Sequence, residues 1–354
     1  MTKKNQLLAA IMCLALLGNI TACGGNQTSS PSASTGQPAG AGSPAKQEDS
    51  GGFNMTIKLG CLGAATEPAL VAANSFADEV KEKTNGRIVV NVFPSATIGS
   101  ELEMIESMQN GTLEMALINS ATLTNFTDAY DVGLLPFLFA DRNEAYKVYD
   151  SEIGDGMLAA LSDIGLKGLT HMENGMRYII NNKKEVVHPA DLKGLKIRTM
   201  ESEWHLKAFE AMGANPTPMA WGDVYTSLQQ GVIDGCEIPL TSITDYKIYE
   251  ICDYITMTGH FYCPYVAIMS QSIWDTIPQE DQAIIQEAIV NARDYQRELC
   301  GEKDGEALNL LRKEISVAED IELGEWRETI QPVYDEFSKV HGGGQLAQIQ
   351  DMLK

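Results

Sequence analysis

From Phe53 onward the apolar residues recur with two alternating periods. Met55-Thr56-Ile57-Lys58-Leu59 has the period of two that a half-buried strand requires, and Glu67 to Glu82 has the three-to-four spacing of an amphipathic helix. Arg87 to Phe93 reads as a strand, Glu101 to Gln109 as a helix and Leu113 to Ile118 as a buried strand. This β-α-β-α-β order predicts an open, mostly parallel sheet, and such sheets take ligands just beyond the carboxyl ends of their strands. Gly60 to Glu67 and Asn119-Ser120 occupy those positions. A second series follows, with strands at Arg177 to Ile180, Gly194 to Arg198 and Ile233 to Glu237, and helices at Glu203 to Met212 and Gly222 to Gln230. Tyr265 to Met269 is a further strand. Pro278 opens a long helix with Ile284, Ile285, Ala288, Ile289, Ala292, Tyr295 and Leu299 on one packing stripe. The expected fold is α/β, two lobes with a cleft between them, without a visible internal repeat.

The amino terminus follows a different pattern. Leu7 to Leu17 is an unbroken apolar run behind Lys3 and Lys4, too short for the roughly 20 residues of a bilayer span, and reads as an export signal covering residues 1–22. Ile20-Thr21-Ala22-Cys23 resembles the bacterial lipobox, although Leu is commoner where Ile20 stands. That resemblance implies a diacylated Cys23 as the mature amino terminus. Residues 24–52 are rich in Gly, Ser, Pro, Ala and Thr and predict a disordered tether with a root-mean-square reach of roughly 30 Å. The expected location is extracytoplasmic, at the cell membrane, held by the lipid alone.

Composition narrows the function. With 44% hydrophobic and 21% charged residues the chain is a folded protein, and its formal charge of -22 disfavours nucleic acid and anionic lipid headgroups as partners. Beyond Cys23 the cysteines are Cys61, Cys236, Cys252, Cys263 and Cys300, with no C-x-x-C pair, so metal-ligand spacing is absent and an odd number leaves at least one free thiol. The chain has no G-x-S-x-G, H-E-x-x-H, Walker loop or G-x-G-x-x-G, and its five histidines are scattered. No catalytic residue, cofactor or metal is expected, and binding is favoured over chemistry.

The segments Asp191-Leu-Lys-Gly-Leu-Lys-Ile-Arg198, Gly213 to Gly231 and Asp234-Gly-Cys-Glu-Ile-Pro239 carry a resemblance. Phe93 to Gly99, Gly111 to Ala116, Leu135-Pro136-Phe137 and Asn174-Gly-Met-Arg177 add to it in order and spacing. Across residues 54–340 the chain resembles the DctP-type solute-binding proteins of tripartite ATP-independent periplasmic (TRAP) transporters. The resemblance implies a periplasmic-binding-protein-like clamshell, its lobes joined by crossing strands and a long C-terminal helix, which captures a small organic acid and delivers it to TRAP permease subunits. Lobe I is expected to comprise 54–173 and 264–303, and lobe II 174–263 and 304–354.

The family's carboxylate-binding arginine falls on Arg198, and a guanidinium matches a carboxylate with two parallel donors. Arg177 corresponds to a second arginine able to reach the same group, and Trp221 to an aromatic that packs on the ligand. Asn119 and Glu67, near strand ends, suit hydroxyls, and Glu237 is expected to contact the ligand or to orient Arg198. Where the family commonly has Asn before the proline of the D-G-x-E-N-P motif, this chain has Ile238. One arginine pair beside these polar residues favours a hydroxylated monocarboxylate, a sugar acid such as a uronate. The alternatives are a lyase acting on sugar acids, with Glu67 or Glu237 as base, and a lipid-anchored sensor.

Overall fold

The computed structural model describes residues 53–354. The export signal, Cys23 and the tether lie outside the described residues. The first sheet contains β1 (Met55–Cys61), β2 (Ile88–Phe93), β3 (Met115–Asn119), β4 (Leu166–Met172) and, from much later in the chain, β10 (Tyr265–Ser270), in the order β2-β1-β3-β10-β4. The second contains β5 (Met176–Asn181), β6 (Lys196–Thr199), β7 (Asn215–Pro218), β8 (Gly235–Pro239), β9 (Tyr254–Tyr262) and β11 (Ser316–Ala318), in the order β11-β9-β5-β8-β6-β7.

The parallel pairing expected of the first three strands is present, and each sheet also contains antiparallel pairs. β1 is parallel to β2 and β3, and β6 is parallel to β7 and β8, but β10 runs antiparallel to β3 and β4, and β5 antiparallel to β8 and β9. The antiparallel pairs arise at two of the chain's three passages between the sheets, the third being the long connection from β10 to β11. At those two the chain leaves by β4 and enters by β5, then leaves by β9 and returns by β10, so each sheet receives one strand from either crossing.

Between β1 and β4 lie α1 (Pro68–Lys83), α2 (Glu101–Gln109), α3 (Ser120–Leu123), α4 (Arg142–Tyr149) and α5 (Glu152–Ala160). The second sheet carries α6 (Glu203–Ala211), α7 (Val224–Gln229) and α8 (Leu240–Asp245). After α9 (Gln271–Trp274), the 36-residue α10 (Gln279–Glu314) is roughly 54 Å long at 1.5 Å per residue. Its first half packs Ile285, Ala288, Ile289 and Ala292 with Ala69, Ala72, Ala73 and Phe76 of α1, in a core shared with β1, β2 and β10. Its last turns bring Ala307 and Leu311 against Ile243 and Ile255 of the second sheet's core. The expected stripe therefore turns along the helix: Tyr295 is 41% exposed, while Gln296 and Cys300 face inward. None of the described helices is long and apolar enough to cross a membrane.

Local chemistry explains several boundaries. Ser100 and Glu103 form a reciprocal capping box at the start of α2, each accepting the other's backbone N–H. In the Asp234-Gly235 motif, Asp234 accepts the Lys196 N–H at 2.9 Å and ties the start of β8 to β6. A Cβ on Gly235 would lie 2.4 Å from the Ile180 carbonyl oxygen, so only glycine fits that strand contact.

The terminal helices α11 (Leu323–Thr329), α12 (Gln331–His341) and α13 (Gly344–Met352) bridge the two halves. α12 packs on α6 and α13 on α4, and Trp326, Val333, Phe337 and Ile349 join one core with Tyr130, Trp204 and Phe209.

Candidate functional site

The carboxyl ends of the two parallel strand sets face each other across one cavity of about 230 Å³. This is below the roughly 300–1,000 Å³ typical of pockets for drug-sized ligands, so the occupant is small. Leu62, Gly63 and Glu67 follow β1, Asn119 ends β3, Arg198 and Met200 lie at the end of β6, and Ile238 and Pro239 end β8. The stretch between β2 and α2 contributes Ala96 and Ser100, and the first residue of α2 contributes Glu101. Ser95 and Ala96 hold the stretch there with backbone hydrogen bonds to the carbonyls of Gly63 and Cys61, both residues adopting the left-handed region at φ 56°. Arg177, one residue inside β5, points into the same space from beside the first crossing.

The two arginines are held differently. Arg177 donates from Nε to Glu237 Oε2, and from Nη2 to Glu237 Oε1 at 2.9 Å and to the Glu237 carbonyl at 2.6 Å. Arg198 donates from Nε and Nη2 to the carbonyl of Met219, at 2.9 and 2.6 Å. Among the described residues neither Nη1 has a recorded bond to protein, and both arginines border the cavity. The Arg198 guanidinium lies 5.8 Å from the centroid of the Trp221 ring, which meets Tyr246 edge-on at 4.9 Å. Trp221 is thus a braced wall rather than a core residue.

Glu237 requires a correction: it is fully buried, does not line the cavity and does not hydrogen-bond Arg198. Its role is to fix Arg177, because alternation along β8 turns Ile238 toward the cavity and Glu237 away from it. His260 Nε2 and His205 Nδ1 stand 3.7 and 3.8 Å from its carboxylate. Burial alone would raise the Glu237 pKa, but the charge of Arg177 and its hydrogen bonds to the carboxylate hold it well below the usual carboxylate range. Burial in turn keeps His205 and His260 neutral by lowering their pKa values, His205 to about 3. Arg177 and Glu237 therefore form a compensated pair, and Arg198 is left as the cation without a bonded carboxylate.

Asn119 borders the cavity but already works structurally: its Oδ1 accepts the Ala121 N–H at 3.0 Å and caps α3. Glu67 is 4% exposed, and its Oε1 accepts from the Ser242 hydroxyl at 3.2 Å. Burial and then the charge of Asp245 push its pKa up to about 8. Glu101 was not singled out by sequence reasoning, since an acid in the first turn of a helix ordinarily faces water and favours the helix dipole. Here it is buried in the cavity wall, accepting from the Asn119 N–H at 2.7 Å and from the Thr122 hydroxyl. Burial raises its pKa to about 7 against the opposing pull of those bonds and of both arginines.

Hydrogen bonds join the lobes on both sides of the cavity. On one side Tyr246 donates to the Leu62 carbonyl, Ser242 to Glu67, and Thr66 to Asp245 at 3.1 Å. On the other, Asn125 donates to the Glu201 carbonyl at 2.7 Å and Thr124 to the Ser202 hydroxyl at 3.3 Å. The arrangement is a closed receptacle with cationic donors on one wall and neutral or acidic acceptors elsewhere.

The sequence model of the DctP family, described as bacterial extracellular solute-binding protein, family 7, matches residues 60–340. A solute-binding protein of Verminephrobacter eiseniae is 36% identical over 296 residues, covering 83% of this chain and 88% of that protein. Among solved structures, a TRAP periplasmic solute-binding protein from Polaromonas bound to D-erythronate superposes with a TM-score of 0.82 at 34% identity, covering 84% of this chain and 98% of the other. A TRAP periplasmic solute-binding protein from Xanthobacter autotrophicus with bound β-D-galacturonate gives 0.78 at 32% identity, covering 84% and 97%.

Proposed function

Because the chain belongs to family 7 of the bacterial extracellular solute-binding proteins, the DctP family, we propose that its cavity captures a small hydroxylated monocarboxylate, a sugar acid such as a uronate, for delivery to a TRAP permease. The observation that carries this reading is the charge balance of the two arginines. Glu237 neutralises Arg177, so Arg198 is free to meet one ligand carboxylate, with the Nη1 group of Arg177 adding a donor. For a second carboxylate the cavity's described lining residues offer no third cation. Hydroxyls suit Glu67 and Glu101, since carboxyl groups accept hydrogen bonds from them.

In this reading Arg198 and Arg177 bind the carboxylate, Trp221 packs on the ligand, and Glu67 and Asn119 face its hydroxyls, with lobe I as 54–173 and 264–303 and lobe II as 174–263 and 304–354. The lyase alternative is weakened at one of its two candidate bases, because Glu237 is locked onto Arg177 and does not line the cavity. The protein is extracytoplasmic, and we further propose that a lipid on Cys23 holds it at the membrane; unchanged membrane retention after replacing Cys23 would refute that.

The test is thermal unfolding of residues 53–354 against D-galacturonate, D-glucuronate, D-galactonate and D-erythronate, beside succinate and malate. A ligand at 100 times its dissociation constant stabilises by about 2.7 kcal/mol. Stabilisation by the dicarboxylates with none by any sugar acid would overturn the proposed ligand class.

A further inference from the structure

We propose that closing the cleft over its ligand also captures a proton, held by Glu67 against Asp245 where the two lobes meet. The inference rests on the proposed closure of the lobes around an acid. Glu67 stands at the N-cap position of α1 beside the first sheet, its side chain making no capping bond, and Asp245 ends α8 beside the second. Each is tied to the other's side of the cleft, Glu67 by the Ser242 hydroxyl and Asp245 by the Thr66 hydroxyl. Two acids from opposite lobes thus share one contact region, and they share it only in the closed form.

Among the described residues no cation offsets Glu67. The titratable groups that act on it are Asp245 and Tyr246 from the α8 side, Tyr265 of β10, Cys61 of β1 and Cys300 of α10. Lys303 of α10 acts on Asp245 rather than on Glu67. The two cavity arginines act on Glu101 instead. With the cleft open, Glu67 meets water and Asp245 is remote, so its carboxyl returns toward the ordinary glutamate value of 4.5; closed, it lies at about 8. Ser242 suits both protonation states, because a hydroxyl donates to a carboxylate and accepts from a carboxylic acid.

The sign follows from linkage. A carboxyl whose pKa is higher in the closed state takes up a proton on closing, so ligand affinity is greatest in acid, falls as pH rises through the window up to about 8, and is level above it. The ligand anion would enter with a proton, which is released when the cleft opens.

Titration calorimetry at pH 7 in phosphate and in Tris, whose ionisation enthalpies differ, reads the proton number directly. The probe is whichever of D-galacturonate, D-glucuronate, D-galactonate and D-erythronate binds. The expected uptake is close to one proton per ligand at pH 7, vanishing by about pH 9.5. Glu67→Gln should abolish the buffer dependence. If that variant no longer binds, Asp245→Asn, which lies outside the cavity wall, decides: smaller proton uptake supports the proposal and unchanged uptake overturns it. Binding by the wild type with no buffer dependence overturns the proton inference alone, whereas failure of every probe to bind overturns the ligand reading and this inference with it.

Discussion

The Tyr246 hydroxyl donates a 2.6 Å hydrogen bond to the carbonyl of Leu62, 184 residues earlier in the chain and on the opposite side of the cleft. The bond exists only when the two lobes meet, so it contributes to closure and not to the stability of either lobe. Tyr246→Phe removes it while keeping the ring that braces Trp221. A typical intramolecular hydrogen bond contributes about 0.5–1.5 kcal/mol net, so sugar-acid affinity should fall by roughly two- to thirteen-fold. Calorimetry measures this. Small-angle scattering at a fixed subsaturating ligand concentration should also report a larger radius of gyration for the variant.

Arg198→Ala should have a much larger effect. It removes a charge-assisted contact and leaves the ligand anion in a closed cavity without its main partner, a loss on the order of 2–5 kcal/mol, or about 30-fold to several-thousand-fold. Arg198→Lys should recover only part of this, because an ammonium cannot both keep the paired bonds to the Met219 carbonyl and present a planar face to the ligand. Affinity of Arg198→Ala within about threefold of wild type would place the carboxylate elsewhere.

For Glu237 the prediction is mainly one of stability. Glu237→Ala leaves the Arg177 charge buried and unpaired, and breaking one side of such a pair costs roughly 3–5 kcal/mol. Urea unfolding of the ligand-free protein should show the loss at neutral pH. Because the Glu237 pKa is depressed in the folded state, its contribution is present above the ordinary carboxylate range and disappears only as pH falls below that range. The wild-type and variant stability curves should converge only in strong acid.

Ile238→Asn should destabilise the ligand-free protein yet enlarge the stabilisation by ligand. Ile238 is 2% exposed and borders the cavity, so an amide there is buried, and an unsatisfied buried polar group costs about 1–3 kcal/mol. A ligand hydroxyl or carboxylate would supply the missing partner. An equal thermal shift by ligand in both proteins would exclude contact at this edge.

The elements most legible from sequence were those with one buried face. α2 has the expected ends, Glu101 and Gln109, because a capping box starts it and apolar spacing continues it. Strands β4 and β9 escaped that reading because they mix buried polar residues with apolar ones: Thr170 and His171 in the first, Thr256, Thr258 and His260 in the second. Hydrogen bonds satisfy such groups, as His171 does with Tyr130 and Thr256 with the Val186 carbonyl, and no hydrophobic period records those partners. The site divides the same way. Arg177 and Arg198 were legible through motifs at strand ends, whereas Glu101 and Tyr246 acquire their places from contacts that only the assembled lobes create.

The two short strand-to-strand crossings set how this molecule moves. Glu173-Asn174-Gly175 and Cys263-Pro264 connect β4 to β5 and β9 to β10, and both are too short to act as loose cords. Two short straps fixed to the same pair of sheets resist sliding and leave swinging as the soft motion, as a door with two pins has one axis. Gln296 of α10 grips the first strap by both edges, donating to the Glu173 carbonyl at 2.7 Å and accepting its N–H at 2.8 Å. As α10 also packs against both sheets, it cannot be a bystander to the swing: opening would bend this helix, release its grip on Glu173 or part its last turns from the second core.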